Sequence, residues 1–117
     1  MTFDITDAEI HLIAEYDHIP VRGNAIVSGD DDFDKSVEDE LIERLNDGDV
    51  WAWASVEVYA SVEIGGVTVQ GDSEYLGCCS YRDESDFVNN SGYYDDMKAT
   101  ALESLIEKVN SLKLALA

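Results

Sequence analysis

A period-two alternation running from Val50 to Ile64 constrains this chain more than any other feature. Val50, Ala52, Ala54, Val56, Val58, Ala60, Val62 and Ile64 are all apolar, while the odd positions read Trp51, Trp53, Ser55, Glu57, Tyr59, Ser61 and Glu63. Successive side chains on a strand point to opposite faces, so the pattern predicts a long strand with one face on a core and the other half wet. Gly65-Gly66 is then a two-residue hairpin signal. Pairing Ile64 with Val67 and Val62 with Val69 keeps every apolar side chain on one face, which sets the register. Gly71 marks an expected bulge, with Tyr75–Tyr81 continuing the strand.

The remaining elements follow from period and punctuation. Residues 9–16 (EIHLIAEY) place Ile10, Leu12, Ala14 and Tyr16 on one face of a half-buried strand that Pro20 ends. Tyr94, Met97, Ala101, Leu102, Leu105, Val109 and Leu112 form the stripe of an amphipathic helix over Tyr94–Leu112. Residues 83–92 read as a loop or a short helical turn. The expectation is one α+β domain over residues 1–117: a small antiparallel sheet of three to four strands, in the order β-α-β-β-α, with both helices on one face.

Between the two strand signals lies the acid. Ser28–Val50 carries Asp30, Asp31, Asp32, Asp34, Glu38, Asp39, Glu40, Glu43, Asp47 and Asp49 against only Lys35 and Arg44. Val37, Leu41 and Leu45 run through it at helical spacing, so the stretch predicts a folded helix from about Asp34 to Asn46, with Gly48 closing it. Asp30, Asp31, Asp32 and Asp34 fall where carboxylates cap free N–H groups and meet the positive end of the helix dipole. Asp39, Glu43 and Asp47 form an i, i+4, i+8 row facing solvent with Glu40 beside it. Lys35 and Arg44 are expected to offset the row as partners of Asp39 and Glu40. Glu38 projects inward and needs a partner, for which Arg22 is the candidate.

With 26 acidic residues against 7 basic ones, the formal net charge is −19. A polyanion of this size is repelled by nucleic acid and anionic membranes and steered toward basic surfaces. A halophile's solvating coat is the bland alternative, but the acid is clustered and Lys is not depleted relative to Arg. The first residues lack a basic region and a continuous apolar run, so no signal peptide is expected and the cytoplasm is the default compartment. Cys78 and Cys79 are adjacent, point to opposite faces if on a strand, and fit a reducing compartment.

The phrase VRGNAIVSGDDDFDKSVEDELIERLNDGDVWAWA, followed by LGCCSY, DF and GYYDDMKATALESL, resembles a recurrent set of small acidic proteins encoded by phages and prophages. The resemblance implies origin in a mobile element, where small acidic proteins antagonise host defence nucleases by imitating DNA, as anti-restriction and some anti-CRISPR proteins do. It brings no catalytic residues with it.

The sharpest functional expectation is therefore non-enzymatic inhibition of a basic nucleic-acid-binding protein. Phosphates lie about 3.4 Å apart along a strand, and carboxylates at i and i+4 about 6 Å apart along a helix, near alternate-phosphate spacing. The contact residues would be Asp39, Glu40, Glu43 and Asp47, with Asp30, Asp31 and Asp32 in support. A Ca²⁺ loop at Asp30-x-Asp32-x-Asp34 fails: counted from Asp30, Lys35 stands where Gly belongs and Leu41 where Glu belongs. No cofactor or metal motif is present, and a thiol on an apolar strand is usually core. The alternative is an interaction module that dimerises through Trp51, Trp53 and Tyr59 on the odd face of the strand, with the acid serving solubility.

Overall fold

The computed structural model describes residues 7–116. Within them the chain runs through β1 (Glu9–Tyr16), α1 (Asp31–Asn46), a 3₁₀ turn (Val50–Ala52), β2 (Ala54–Ile64), β3 (Val67–Gln70), β4 (Glu74–Cys79), α2 (Glu84–Asn90) and α3 (Tyr94–Leu116). The architecture is α+β, built on a small antiparallel four-stranded sheet.

Strand β2 is the axis. β1 pairs along one of its edges from Glu9 opposite Ser61 to Tyr16 opposite Ala54. The other edge is shared: β3 pairs with Ser61–Ile64 and β4 with Ala54–Val58. The hairpin register is the expected one, with Ile64 opposite Val67 and Val62 opposite Val69.

Between β3 and β4 sits Gly71, whose N–H still donates to Ala60 at 3.0 Å. The expected bulge is there, since residues 71–73 oppose only Tyr59 and Ala60 between the Ser61–Gln70 and Val58–Glu74 pairs. The glycine also permits a close approach. A Cβ there would stand 2.7 Å from the Leu105 backbone nitrogen, so only glycine lets α3 lie this close. A second pairing irregularity lies between Ala54 and Val56, opposite β4.

The even face of β2 is the core. Ala54, Val56, Val58, Ala60 and Val62 are buried against Ala101, Leu105 and Val109 of α3, with Phe87 of α2 and Trp51 at one end. Phe87 is fully buried and meets Trp51, Tyr81 and Tyr94, with ring centroids 5.2–6.4 Å apart. The segment read as loop or short turn thus supplies the hub of an aromatic cluster. Asp83 caps α2 by accepting from the Asp86 N–H at 2.9 Å.

Two expectations need correcting. The long alternation does not become one strand from Val50, because Val50–Ala52 winds into a 3₁₀ turn capped by Asp49. Neither tryptophan is left exposed, and the two are buried in different ways. Trp51 joins the main core, and Trp53 enters a second cluster with Val21, Leu41 and Ala52. The helices, moreover, do not share a face: α3 covers the sheet, while α1 packs chiefly on the 3₁₀ turn at the end of β2.

Candidate acidic interface

α1 is held from three directions, and each hold selects which carboxylates remain free. Its start is set by Asp30, whose side chain accepts from the Phe33 N–H at 3.2 Å. Asp34 accepts from the Ser28 N–H at 3.1 and 3.2 Å and from the Ser28 hydroxyl. These two acids are spent on folding the turn, whereas Asp31 and Asp32 remain exposed in the first turn.

The middle of α1 is anchored by Glu38, which is 8% exposed. Its Oε2 accepts from the Gly23 N–H at 2.7 Å, and its Oε1 faces Arg22 Nη1 at 3.4 Å. The expected Arg22–Glu38 pairing is present. Arg22 also binds Asp39 through Nη2. That contact corrects the expectation that Asp39 pairs with Lys35, and it removes Asp39 from the set of uncompensated charges.

The end of α1 is tied down by Arg44. Its guanidinium binds Asp49 at 2.8 Å and donates to the Tyr81 carbonyl at 2.7 Å, joining α1 to the segment after β4. Arg44 is therefore not a partner of Glu40. Among the described residues, Glu40, Glu43 and Asp47 make no ion pair, and all three are exposed.

Projected at 100° per residue, Asp32, Glu43, Asp47 and Glu40 fall on the side of α1 opposite Leu41. Phe33, 52% exposed, lies next to Glu40 on the same projection. Pattern reading missed it, since a lone aromatic among aspartates carries no period.

The outer face of the sheet is a separate surface. His11 stacks on Tyr59 with centroids 4.5 Å apart, and its Nε2 lies 2.7 Å from the Ser61 hydroxyl. Tyr75 is exposed, its hydroxyl 3.3 Å from Glu57. Tyr59 stands here without Trp51 or Trp53, so the three-aromatic face does not form. The 3₁₀ turn brings Trp51 into the main core, while Trp53, extended beyond the turn, is covered by Val21 and Leu41, and its Nε1 donates to the Ile19 carbonyl at 2.7 Å.

The cysteines separate as expected, Cys78 exposed and Cys79 buried. Burial, followed by Asp17 and Cys78, pushes the Cys79 thiol up to about 11, so it stays protonated at neutral pH. Burial and then Asp17 push the Cys78 thiol up as well. Among the described residues, no three His, Cys, Asp or Glu side chains gather so as to hold a metal ion. No helix among them is long and apolar enough to cross a membrane.

Comparisons with protein families, with curated proteins and with solved structures find no match for this chain.

Proposed function

We propose that this protein is a non-catalytic, phage-type inhibitor that presents α1 as an imitation of nucleic-acid backbone to the basic groove of a host defence nuclease or CRISPR complex. The observation that carries the reading is the placement of Glu40, Glu43 and Asp47, with Asp31 and Asp32, exposed on a helix whose remaining acids are consumed by capping and pairing. Like charges at i, i+4 cost a few tenths of a kcal/mol per pair, so the Glu43/Asp47 pair does nothing for the helix itself.

Position and shape support the same reading. Antiparallel strands need only a two-residue turn, yet β1 and β2 are joined by the whole stretch between Tyr16 and Ala54, with α1 inside it. The acidic helix therefore sits on a segment that the strand pairing itself does not require. The molecule measures 63 × 26 × 23 Å, with a radius of gyration of 18.4 Å where roughly 13 Å is typical of this length. Its −19 charges over 63 Å amount to one per 3.3 Å, about half the axial density of duplex DNA. In cross-section and charge it is a rod that a DNA-sized groove can accept.

The test is capture of partners from host lysate, followed by competition. A basic nucleic-acid enzyme displaced from the protein by DNA, with affinity falling steeply as salt rises, is the expected result. A partner bound with salt-insensitive affinity, or one that binds DNA and this protein at once, overturns the mimicry.

A further inference from the structure

The apolar stripe of α3 runs past the sheet it covers. Ala101, Leu105 and Val109 are buried, but Leu112 and Leu116, next on the same side of the helix, are 42% and 85% exposed. With Ile64, Val67 and Val69 of the hairpin they line an open groove of about 350 Å³, flanked by Lys113. Val67 is itself 63% exposed.

The lining of this groove carries no acid, and the carboxylates of this end, Asp7, Glu9 and Glu63, gather in a separate hollow with Ser61 and Thr68. From Ser104 to Leu116 the only acidic residue is Glu107, set against Lys108 and Lys113, and Gly65–Gln70 carries no charge. The one charged residue in the groove lining is Lys113, within a chain of −19.

We infer that this end is where two copies of the chain associate, α3 against α3 about a two-fold axis, burying Val67, Leu112 and Leu116 of each. The charge distribution selects the occupant. Two copies meeting elsewhere bring acid against acid, and this neutral apolar patch is where they approach without that repulsion. A head-to-tail arrangement is disfavoured because α1 offers the patch a row of carboxylates and a single exposed Phe33. A patch meeting its own copy gives a closed, isologous dimer. The patch is small, so the dimer belongs to the weak class and forms at high protein concentration.

The arrangement goes beyond the inhibitory reading and does not depend on it. The 3₁₀ turn that carries α1 and the Gly65-Gly66 hairpin lie at opposite ends of β2, about 35 Å apart for its eleven residues. A dimer joined at the hairpin end leaves both acidic helices free at its far ends, which suits a two-fold symmetric target and adds avidity.

Sedimentation velocity on the full chain tests it, alongside Leu116→Glu and Leu112→Glu, both at exposed positions. The mass should rise from 12.9 kDa toward twice that value with concentration. Each substitution should hold the protein monomeric with unchanged circular dichroism and Tm. Amine crosslinks should join Lys113 of one copy to Lys108 or Lys113 of the other. Added salt should preserve or strengthen the dimer, opposite in sign to its effect on target binding, so the two readings fail separately. A monomer at every concentration overturns the inference, as does a dimer indifferent to Leu116→Glu or a mass that grows beyond two copies. A monomer whose Tm falls on Leu116→Glu also overturns it, because the groove is then covered by the chain itself.

Discussion

The guanidinium of Arg22 spans Glu38 and Asp39, neighbours in sequence that point to opposite fates. Glu38 is buried and structural, while Asp39 is half exposed and neutralised by the same arginine. One cation thus anchors α1 to the Val21–Asn24 turn and trims the free acidic row to Glu40, Glu43 and Asp47.

Replacing those three with Lys should abolish target binding without unfolding the protein. Asp47 lies at the C-terminal cap, where a cation complements the helix dipole, so Tm should hold or rise slightly. Isothermal titration against the captured partner, with thermal melts in parallel, reads both effects. Retained binding removes α1 from the interface.

Arg22→Ala should destabilise the protein, since Glu38 keeps the Gly23 N–H but loses its cation. The loss should be smaller than for a fully buried pair because the arginine side chain is 52% exposed. Urea denaturation gives the value. The same variant frees Asp39, so salt-dependent binding to a basic partner should not weaken.

Gly71→Ala adds one carbon and should cost about 1–3 kcal/mol, because the atom it meets is helix backbone that must shift bodily. Gly92→Ala is the contrasting control: nothing lies within 4 Å, and the penalty comes only from its positive φ of 78°. Denaturant midpoints of the two variants separate crowding from backbone strain.

Asp17 accepts from the Cys78 N–H at 2.7 Å and the Ile19 N–H at 2.8 Å, linking the end of β1 to β4. Burial alone would raise its carboxyl, but those N–H groups and His18 outweigh burial and hold it below its ordinary value of 3.8. The unfolded chain binds the proton more readily, so this contribution is complete above pH 3.8 and is lost as pH falls through the lower folded value. Asp17→Asn should therefore reduce stability at neutral pH and flatten the acid limb of the stability curve. An unchanged acid limb would show that other carboxylates govern it.

Trp53→Ala should destabilise by about 3–5 kcal/mol, as expected for emptying a buried aromatic site, and should not change the oligomeric state. Loss of a dimer in a variant that stays folded would restore the indole to an interface.

What could be read in the sequence was what has a period. The even positions of β2, the hairpin register and the α3 stripe Ala101, Leu105 and Val109 all follow from side-chain alternation, and the structure buries them as expected. Glu38 was legible too, because a carboxylate on an apolar side needs a cation and arginines are few. What escaped was aperiodic. A three-residue 3₁₀ turn leaves the alternation of letters intact while bringing Trp51 into the core, and the cover that Val21 and Leu41 give Trp53 comes from elements distant in sequence. A seven-residue helix is too short to show a stripe, so Phe87 was invisible as a core residue. The partners of Asp39 and Arg44 lie outside the helix, where i, i+4 rules cannot reach them.

The connection between β1 and β2 has a bearing on the order of events in folding. The β2–β3 hairpin closes over two glycines, whereas Tyr16 can meet Ala54 only after the segment holding α1 has looped back. Loop closure grows costlier with length, so the hairpin is the early event and the β1 pairing a late one. α1 packs mainly on the 3₁₀ turn beyond that closure, so the acidic helix docks when the sheet is already assembled. Its like charges are then concentrated last, after the apolar contacts that offset their repulsion are in place. Pulse-labelled hydrogen exchange should find the amides of Val62–Val69 protected before those of Leu41–Leu45.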